Sequence, residues 1–167
     1  FALHRRRAEK IHGLIAELQP MSREPLALRQ IPIRDGDSVT GYVDLALERA
    51  YRYQPGKPSE VIAIPGAIAA LEKEDRTHLL ETLADFDDAL MEALLMDEEP
   101  DAATVMADLA ADTAANKVVP VILGSALTGG GVRRLLKLLR HEAPAPDAAA
   151  ARLGAKAGAL HVFKIAN

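Results

Sequence analysis

The segment VVPVILGSALTGGGVRRLLKLL, residues 118–139, constrains the fold more than any other part of the chain. Its apolar run has no alternation, which is typical of a strand covered on both faces. Pro120 places this strand at an edge or an end of its sheet, where a missing N–H is tolerated. A glycine-rich turn follows, and then an amphipathic helix over 132–141. A strand, a tight turn and a returning helix together predict an α/β fold.

Upstream of this segment, the hydrophobic pattern predicts one helix and then a small sheet. Residues 4–18 carry apolar side chains at helical intervals, and Pro20 ends the helix. Alternation of apolar and polar residues then predicts two half-buried strands at 26–33 and 40–53. A third strand is predicted at 60–65, and turn residues separate the three. Because the connections are short, these strands should be antiparallel neighbours.

Residues 66–116 are predicted to be helical. Large apolar residues recur with a period near 3.6 and indicate a buried stripe: Leu79, Leu83, Phe86, Leu90 and Leu94. The segment DEEPDAA interrupts this pattern. Asp101 is placed to cap a further helix that ends near Asn116.

The composition excludes several classes of protein. There is no cysteine among the 167 residues, which excludes disulfides and thiolate metal sites. The net charge of −4 argues against general nucleic-acid affinity, and no DNA partner is expected. No apolar run approaches the roughly 20 residues that span a bilayer, so no membrane association is expected. The chain does not begin with Met, and we expect it to be a piece of a longer protein.

The glycine-rich turn is not a phosphate loop. Gly124 and Gly129 have the spacing of G-x-x-x-x-G-K-[ST], but Gly130 and Gly131 occupy the positions of the lysine and the hydroxyl residue. The lysine brings positive charge to the phosphates and the hydroxyl holds magnesium, so both are needed. From the residues alone, the segment is either a tight turn, in which glycine tolerates positive φ, or another kind of nucleotide-contacting loop.

Four carboxylates with spacings of 4, 3 and 4 are predicted to share one helix face: Glu81, Asp85, Asp88 and Glu92. Such a stripe is either a solvated face or a docking surface for a basic partner. Acid–base catalysis is disfavoured because paired carboxylates need burial to separate their pKa values. No metal site is predicted, because none of the five histidines has ligand spacing: His4, His12, His78, His141 and His161.

Several segments together resemble the elongation factor G family of translational GTPases. They are LRQIPI, VTGYVDLALERAY, IAIP, ETLADFDDALMEALL followed by DEEP, and ANKVVPVILGSALTGGGVRRLL, in the order and spacing of that family. The resemblance runs from about residue 8 to 165 and rests on the colinear set. It implies that the C-terminal part of a P-loop GTPase sheet is joined to an α+β insert subdomain with a small antiparallel sheet and several helices.

The resemblance also implies that the chain divides into five parts. They are a helix of the GTP-binding domain at 1–20, the insert subdomain at 21–116, the last strand and helix of the GTP-binding domain at 117–142, a linker at 143–159 and the first strand of a following β-barrel at 160–167. The family's phosphate loop, switches and NKxD motif would precede Phe1. No catalytic residue is therefore assigned here.

By resemblance, residues 124–127 contact the guanine base. Gly124 permits close approach, Ser125 braces the loop, the Ala126 N–H donates to guanine O6, and Leu127 packs beside the base. Adenine carries an amino donor in place of O6, so a rigid N–H there would discriminate by leaving donors unpaired. The sequence departs from the family at TGGGV, which replaces a usual Asn-Lys-Gly-Val, and at HEAPAP, which replaces an end similar to Tyr-Leu-Pro-Ser-Pro.

The implied parent is a cytoplasmic factor that moves tRNA and mRNA through the ribosome and hydrolyses GTP with magnesium. The chain alone should be inactive and should bind neither GTP nor magnesium. In this family the acidic helix contacts the ribosomal stalk protein, with Glu81, Asp85 and Asp88 at matching positions. The alternatives are a diverged paralogue, a release factor or ribosomal-protection protein, or a non-catalytic module that docks through the acidic helix.

Overall fold

The computed structural model of the chain describes residues 2–143, 145–152 and 154. Its helices are α1 (Ala2–Leu18), α2 (Ala69–Ala84), α3 (Asp88–Leu95), α4 (Ala102–Ala114), α5 (Val132–Glu142) and α6 (Pro146–Arg152). Its strands are β1 (Leu26–Leu28), β2 (Gln30–Asp35), β3 (Ser38–Asp44), β4 (Arg49–Arg52), β5 (Glu60–Ile62) and β6 (Val119–Val121). The expected strand at 160–167, with His161, lies outside the described residues, as does the side chain of His4.

The predicted α/β fold class is confirmed, with one small parallel and one antiparallel sheet. Strands β1 and β6 pair in parallel, and the antiparallel sheet has the order β2-β3-β4-β5. Pro120 lies opposite Ala27 in the parallel pair. The pairing bonds come from the flanking residues, with Val119 N donating to Pro25 O at 3.0 Å and Arg29 N donating to Val121 O at 2.9 Å. The missing N–H of Pro120 therefore costs this pair no hydrogen bond.

Two of the predicted strands are each divided in two. The segment 26–33 passes from the parallel sheet to the antiparallel sheet at Arg29, and the segment 40–53 folds back as β3 and β4. Glu48 makes this turn with a left-handed φ of 51°. Arg76 of α2 holds the turn by donating to Leu45 O and by pairing with the Glu48 carboxylate at 3.1 Å. The apolar residues of this turn are buried like those of the two strands. The alternation of apolar and polar residues therefore runs through the turn and does not show that the chain reverses direction there.

The predicted helical stripe over 79–94 is wrong at residues 85–87, where α2 ends and α3 begins. Asp87 caps α3, and its carboxylate accepts hydrogen bonds from Ala89 N at 2.9 Å and Leu90 N at 3.0 Å. Phe86 leaves the core at this break and is 37% exposed. The capping prediction for Asp101 is confirmed: its carboxylate accepts from the first amides of α4, both at 2.8 Å.

A buried cluster of charges joins the two sheets to α5. Arg29 is fully buried between β1 and β2, and its Nη1 donates to both carboxylate oxygens of Glu142 at 2.7 and 2.8 Å. Its Nε lies 3.9 Å from Asp44 Oδ2, which also receives a hydrogen bond from Arg134 Nη2 at 2.6 Å. Asp44 is likewise fully buried, at the end of β3. Helix α5 therefore presents charged residues to the sheets.

The apolar side of α5 is correspondingly exposed. Four of its apolar side chains are between 40% and 59% exposed: Val132, Leu135, Leu136 and Leu139. Helix α6 lies within the segment that was predicted to be a linker. Pro146 at its first position and the alanines that follow favour a short helix, which explains the difference from the prediction.

We predict that Arg29→Leu lowers the free energy of unfolding by about 3–5 kcal/mol, because it leaves buried Asp44 and Glu142 without their cation. Arg49→Leu is the matched control, since Arg49 is exposed on β4 and its loss should cost less than about 0.5 kcal/mol. Urea unfolding at neutral pH measures both. Equal losses would show that the buried cluster does not stabilise this fold.

Candidate nucleotide-contacting loop and acidic surface

The loop between β6 and α5 is closed by its own backbone, and Ser125 makes most of the closing bonds. Ser125 N donates to Gly130 O at 2.8 Å, and Ser125 O accepts from Gly129 N at 2.9 Å. The hydroxyl of Ser125 accepts from Thr128 N at 3.3 Å. The loop is also anchored from outside, because the buried side chain of Gln30 accepts from Leu123 N at 3.0 Å.

Two glycines in the loop have left-handed backbone conformations, with different surroundings. Gly129 has φ of 74° and open space where a Cβ would lie. Gly131, which precedes α5, has φ of 80°, and a Cβ there would overlap Leu123 O and lie 2.8 Å from Gly124 Cα. The close crossing of residues 123–124 and 131 therefore requires glycine at position 131.

The tip of the loop leaves two adjacent backbone donors unused. Neither Ala126 N nor Leu127 N donates to an acceptor among the described residues. Both residues are exposed, and the side chain of Leu127 is 96% exposed. Because the closing bonds come from Ser125, Thr128 and Gly129, these two N–H groups can bind an external acceptor without opening the loop.

The predicted acidic stripe does not lie on a single helix. Glu81 belongs to α2, Asp85 is the residue that ends α2, and Asp88 and Glu92 belong to α3. All four carboxylates are exposed. One of the four has a histidine neighbour on the same helix, since His78 Nδ1 lies 3.1 Å from Glu81 Oε2. We call these four residues the acidic surface.

Apolar side chains are exposed on the same stretch of chain. Leu95 and Met96, at the end of α3, are 80% and 65% exposed, and Met91 is 37% exposed. The Phe86 ring lies beside Lys117, whose Nζ is 5.6 Å from the ring centroid. The surface combines negative charge with flexible apolar side chains, a combination suited to protein contact.

Sequence reasoning missed a contact between a histidine of α1 and a carboxylate of α2. His12 Nε2 lies 2.7 Å from Asp75 Oδ1, and Asp75 is buried. Burial raises the pKa of Asp75, while the neighbouring His12 acts in the opposite direction. The two residues are 63 positions apart, and no local pattern indicated the pair. Its position between two helices indicates a structural role.

Within the described part of the chain, no group of three or more potential metal ligands comes together. No described helix has the length and hydropathy needed to cross a membrane.

Two curated proteins are similar to this chain over most of its length. An elongation factor G-like protein of Synechocystis sp. (strain ATCC 27184 / PCC 6803 / Kazusa) is 43% identical over 147 residues, which are 87% of this chain and 22% of the relative. Elongation factor G 2 of Bdellovibrio bacteriovorus is 36% identical over 119 residues, which are 70% of this chain and 17% of the relative. The chain thus spans about a fifth of the length of these relatives. No protein-family model matches it.

The fold also has a counterpart among solved structures. A crystal structure of a protein from Thermus thermophilus matches 86% of this chain and 21% of its own chain, with a TM-score of 0.69 and 24% sequence identity. At this identity the likeness concerns the fold.

We predict that Gly131→Ala lowers the free energy of unfolding by more than about 3 kcal/mol, through left-handed strain and overlap with Leu123 O. Gly129→Ala is the matched control, because its φ is similar but its surroundings are open. It should cost only the strain, about 1–2 kcal/mol. Thermal and urea unfolding measure both variants, and equal costs would contradict the close crossing at Gly131.

Proposed function

Because this chain belongs to the elongation factor G family, we propose that it is a segment of a cytoplasmic translational GTPase that moves tRNA and mRNA through the ribosome. The segment contributes two surfaces to that activity. The loop at 124–127 contacts the guanine base, and the acidic surface docks the ribosomal stalk protein. The bond-breaking step belongs to residues outside this chain.

The observation that carries this proposal is the pair of unused amides at the tip of a closed loop. Guanine presents the acceptor O6, which the N–H of Ala126 can bind while Ser125 keeps the loop closed. Adenine presents an amino donor at the same place, so two donors would face each other without an acceptor. Exposed Leu127 supplies an apolar side chain next to the base. The loop therefore selects guanine by its backbone, which tolerates variation in the residues that follow.

The loop at 124–131 does not offer charged or hydroxyl groups where a phosphate loop would have them. Gly130 and Gly131 carry no ammonium or hydroxyl, and no described carboxylate cluster fits a metal ion. Magnesium, when bound in the parent, would neutralise charge on the phosphates. Its ligands would come from other parts of the parent, and the present residues act only on the base.

The exposed apolar faces of α1 and α5 fit a segment that packs against more of the GTP-binding domain. Leu14 and Leu18 of α1 are 57% and 50% exposed, and the apolar side of α5 is similarly open. Exposed apolar stripes of this kind are typical of contacts with another element. In the parent we place them against the sheet that carries the phosphate loop.

The acidic surface suits a weak and rapid contact. Its four carboxylates are exposed and lie around the junction of α2 and α3, where they repel one another. A basic partner relieves that repulsion and is steered towards it, and the effect declines as salt screens the charges. We assign the stalk protein as this partner.

We predict that the guanine O6 contributes about 1–1.5 kcal/mol to GDP affinity in the full-length protein, and that this contribution disappears when the Ala126 amide is removed. The measurement is calorimetric titration with GDP and with the diphosphate of 2-aminopurine riboside, which lacks O6. The protein with Ala126 should prefer GDP, and Ala126→Pro should reduce that preference by about tenfold. Any preference that remains reflects the guanine N1–H, which 2-aminopurine also lacks.

Leu127→Pro is the matched control, because it imposes the same backbone restriction one residue later and keeps the Ala126 N–H. It should retain the preference for GDP. If Leu127→Pro abolishes the preference and Ala126→Pro retains it, the assignment to Ala126 is wrong. The 167-residue chain alone should show no micromolar site for GTP or GDP, because the phosphate contacts are absent.

We predict that charge reversal of Glu81, Asp85 and Asp88 to lysine slows association with the stalk protein at least tenfold at low salt. The same change of charge at three exposed acidic residues on other elements is the control: Glu17, Asp35 and Asp147. Stopped-flow association at several salt concentrations measures the rates. Equal effects of the two triple variants would show that only net charge matters and that the acidic surface is no docking site.

The competing function, a non-catalytic docking module, predicts a different result for the full-length protein. It requires stalk binding without ribosome-dependent GTP hydrolysis. Hydrolysis of GTP that depends on ribosomes excludes the docking module, whereas its absence, with intact stalk binding, excludes the GTPase.

A further inference from the structure

Two adjoining cavities lie between the antiparallel sheet and α5, and neither is lined by residues 124–127 or by the acidic surface. The first has a volume of about 480 Å³ between the β4–β5 turn and residues 128–131. The second, of about 500 Å³, runs along α5 beside Tyr51. They share Ser59, Arg133 and Arg134, so they form one continuous depression, which we call the basic groove.

The lining of the basic groove contains cations and no carboxylate. Among the residues that the structure describes, no aspartate or glutamate lines it, and six cations do: Arg52, Lys57, Arg133, Arg134, Lys137 and Arg140. A chain with net charge −4 has therefore concentrated positive charge at one place. Net charge does not describe such a local field, which a concave surface strengthens.

Half of these cations are available to a ligand. Arg134 pairs with buried Asp44, and Arg52 lies 3.7 Å from the Glu60 carboxylate. Arg133 donates to Gly56 O at 3.3 Å. By contrast, no described carboxylate lies within ion-pair distance of Lys57, Lys137 or Arg140. All three are exposed.

The cations of α5 form a ladder. Arg133, Lys137 and Arg140 are separated by four and three residues, so they follow one side of the helix at axial intervals of about 6 and 4.5 Å. A ladder of this kind suits an extended polyanion better than a single small anion. Regularly spaced charges on a continuous chain can contact successive cations.

Aromatic rings adjoin the ladder. Tyr42 and Tyr51 stack with centroids 5.0 Å apart, and Tyr53 lies 5.8 Å from Tyr42. Burial raises the pKa of Tyr42 and of Tyr53, so both phenols remain neutral and do not oppose an anion. Tyr51 lines the second cavity and Tyr53 lines the first. Basic grooves with tyrosines are typical of single-stranded nucleic-acid sites, where phosphates contact cations and bases stack on rings.

We propose that the basic groove binds the phosphodiester backbone of single-stranded RNA. The aromatic rings favour RNA over an acidic peptide, which would use the cations alone. The choice of RNA over DNA rests on the proposed function, since a ribosome presents RNA. The binding itself needs neither guanine nucleotide nor the stalk protein, so it can be tested separately from that function.

The test is fluorescence anisotropy of a labelled oligouridylate of about 12 nucleotides, within the range of single-strand site sizes, with the 167-residue chain at several salt concentrations. Neutralising the three available cations together as Lys57→Gln, Lys137→Gln and Arg140→Gln should weaken binding about tenfold or more. It should also make the slope of log K against log salt shallower by about 2, because each of the three lost phosphate contacts contributes roughly 0.7 to that slope.

The matched control neutralises three exposed cations outside the groove: Lys10, Arg23 and Lys73. It changes net charge equally and should leave affinity within about twofold of the unmodified chain. Circular dichroism verifies that both triple variants are folded. Equal weakening by the two variants, or no binding by the unmodified chain at low salt, overturns the proposal.

An oligoglutamate of the same length distinguishes RNA from an acidic peptide. It should bind at least tenfold more weakly than the oligouridylate. If it binds as tightly and is weakened by the same three substitutions, the groove is a site for acidic protein segments and the assignment to RNA is wrong.

Discussion

The architecture depends on one buried arginine. Arg29 lies where the chain leaves the parallel sheet and enters the antiparallel sheet, and its guanidinium contacts Glu142 of α5 and Asp44 of β3. The cluster also contains two carboxylates and a second cation, Arg134, so its positive and negative charges are equal in number. A buried ionic cluster adds little stability over an apolar one, but breaking it is costly. Its consequence here is geometric, because it fixes α5 against both sheets.

That geometry determines where the loop lies. The loop begins at Leu123, held by Gln30, which immediately follows Arg29, and it ends at Gly131, where α5 starts. Both ends of the loop are therefore positioned by the same junction of sheets and helix. Among the described residues, no acceptor binds the amides of Ala126 and Leu127, because Ser125 makes the closing bonds. In the proposed function, this closed loop with two available donors is preorganised for an acceptor, and preorganisation reduces the entropic cost of binding.

Much of the fold was predictable where the determinant is local. The Asp101 cap and the tolerated Pro120 depend on neighbouring residues, and both were recognised from sequence. The division at residues 85–87 was missed because Asp87 has the spacing of a helical residue, and only its carboxylate's bonds to Ala89 N and Leu90 N reveal a cap. The loop's residues could be chosen only by family resemblance, since glycines alone fit any tight turn. The basic groove was beyond reach because its cations come from separate segments and net charge conceals them.

The separation of charge has a physical consequence for partner choice. Exposed carboxylates at the junction of α2 and α3 attract basic surfaces, whereas the groove beside α5 attracts polyanions, and each repels the partner of the other. Discrimination of this kind does not require tight contacts, because like charges repel the wrong partner before the two surfaces touch. It also explains why the net charge of −4 is uninformative about partners. On the proposed assignments, the two oppositely charged regions would orient the chain between a basic protein and a nucleic acid, and salt would weaken both contacts together.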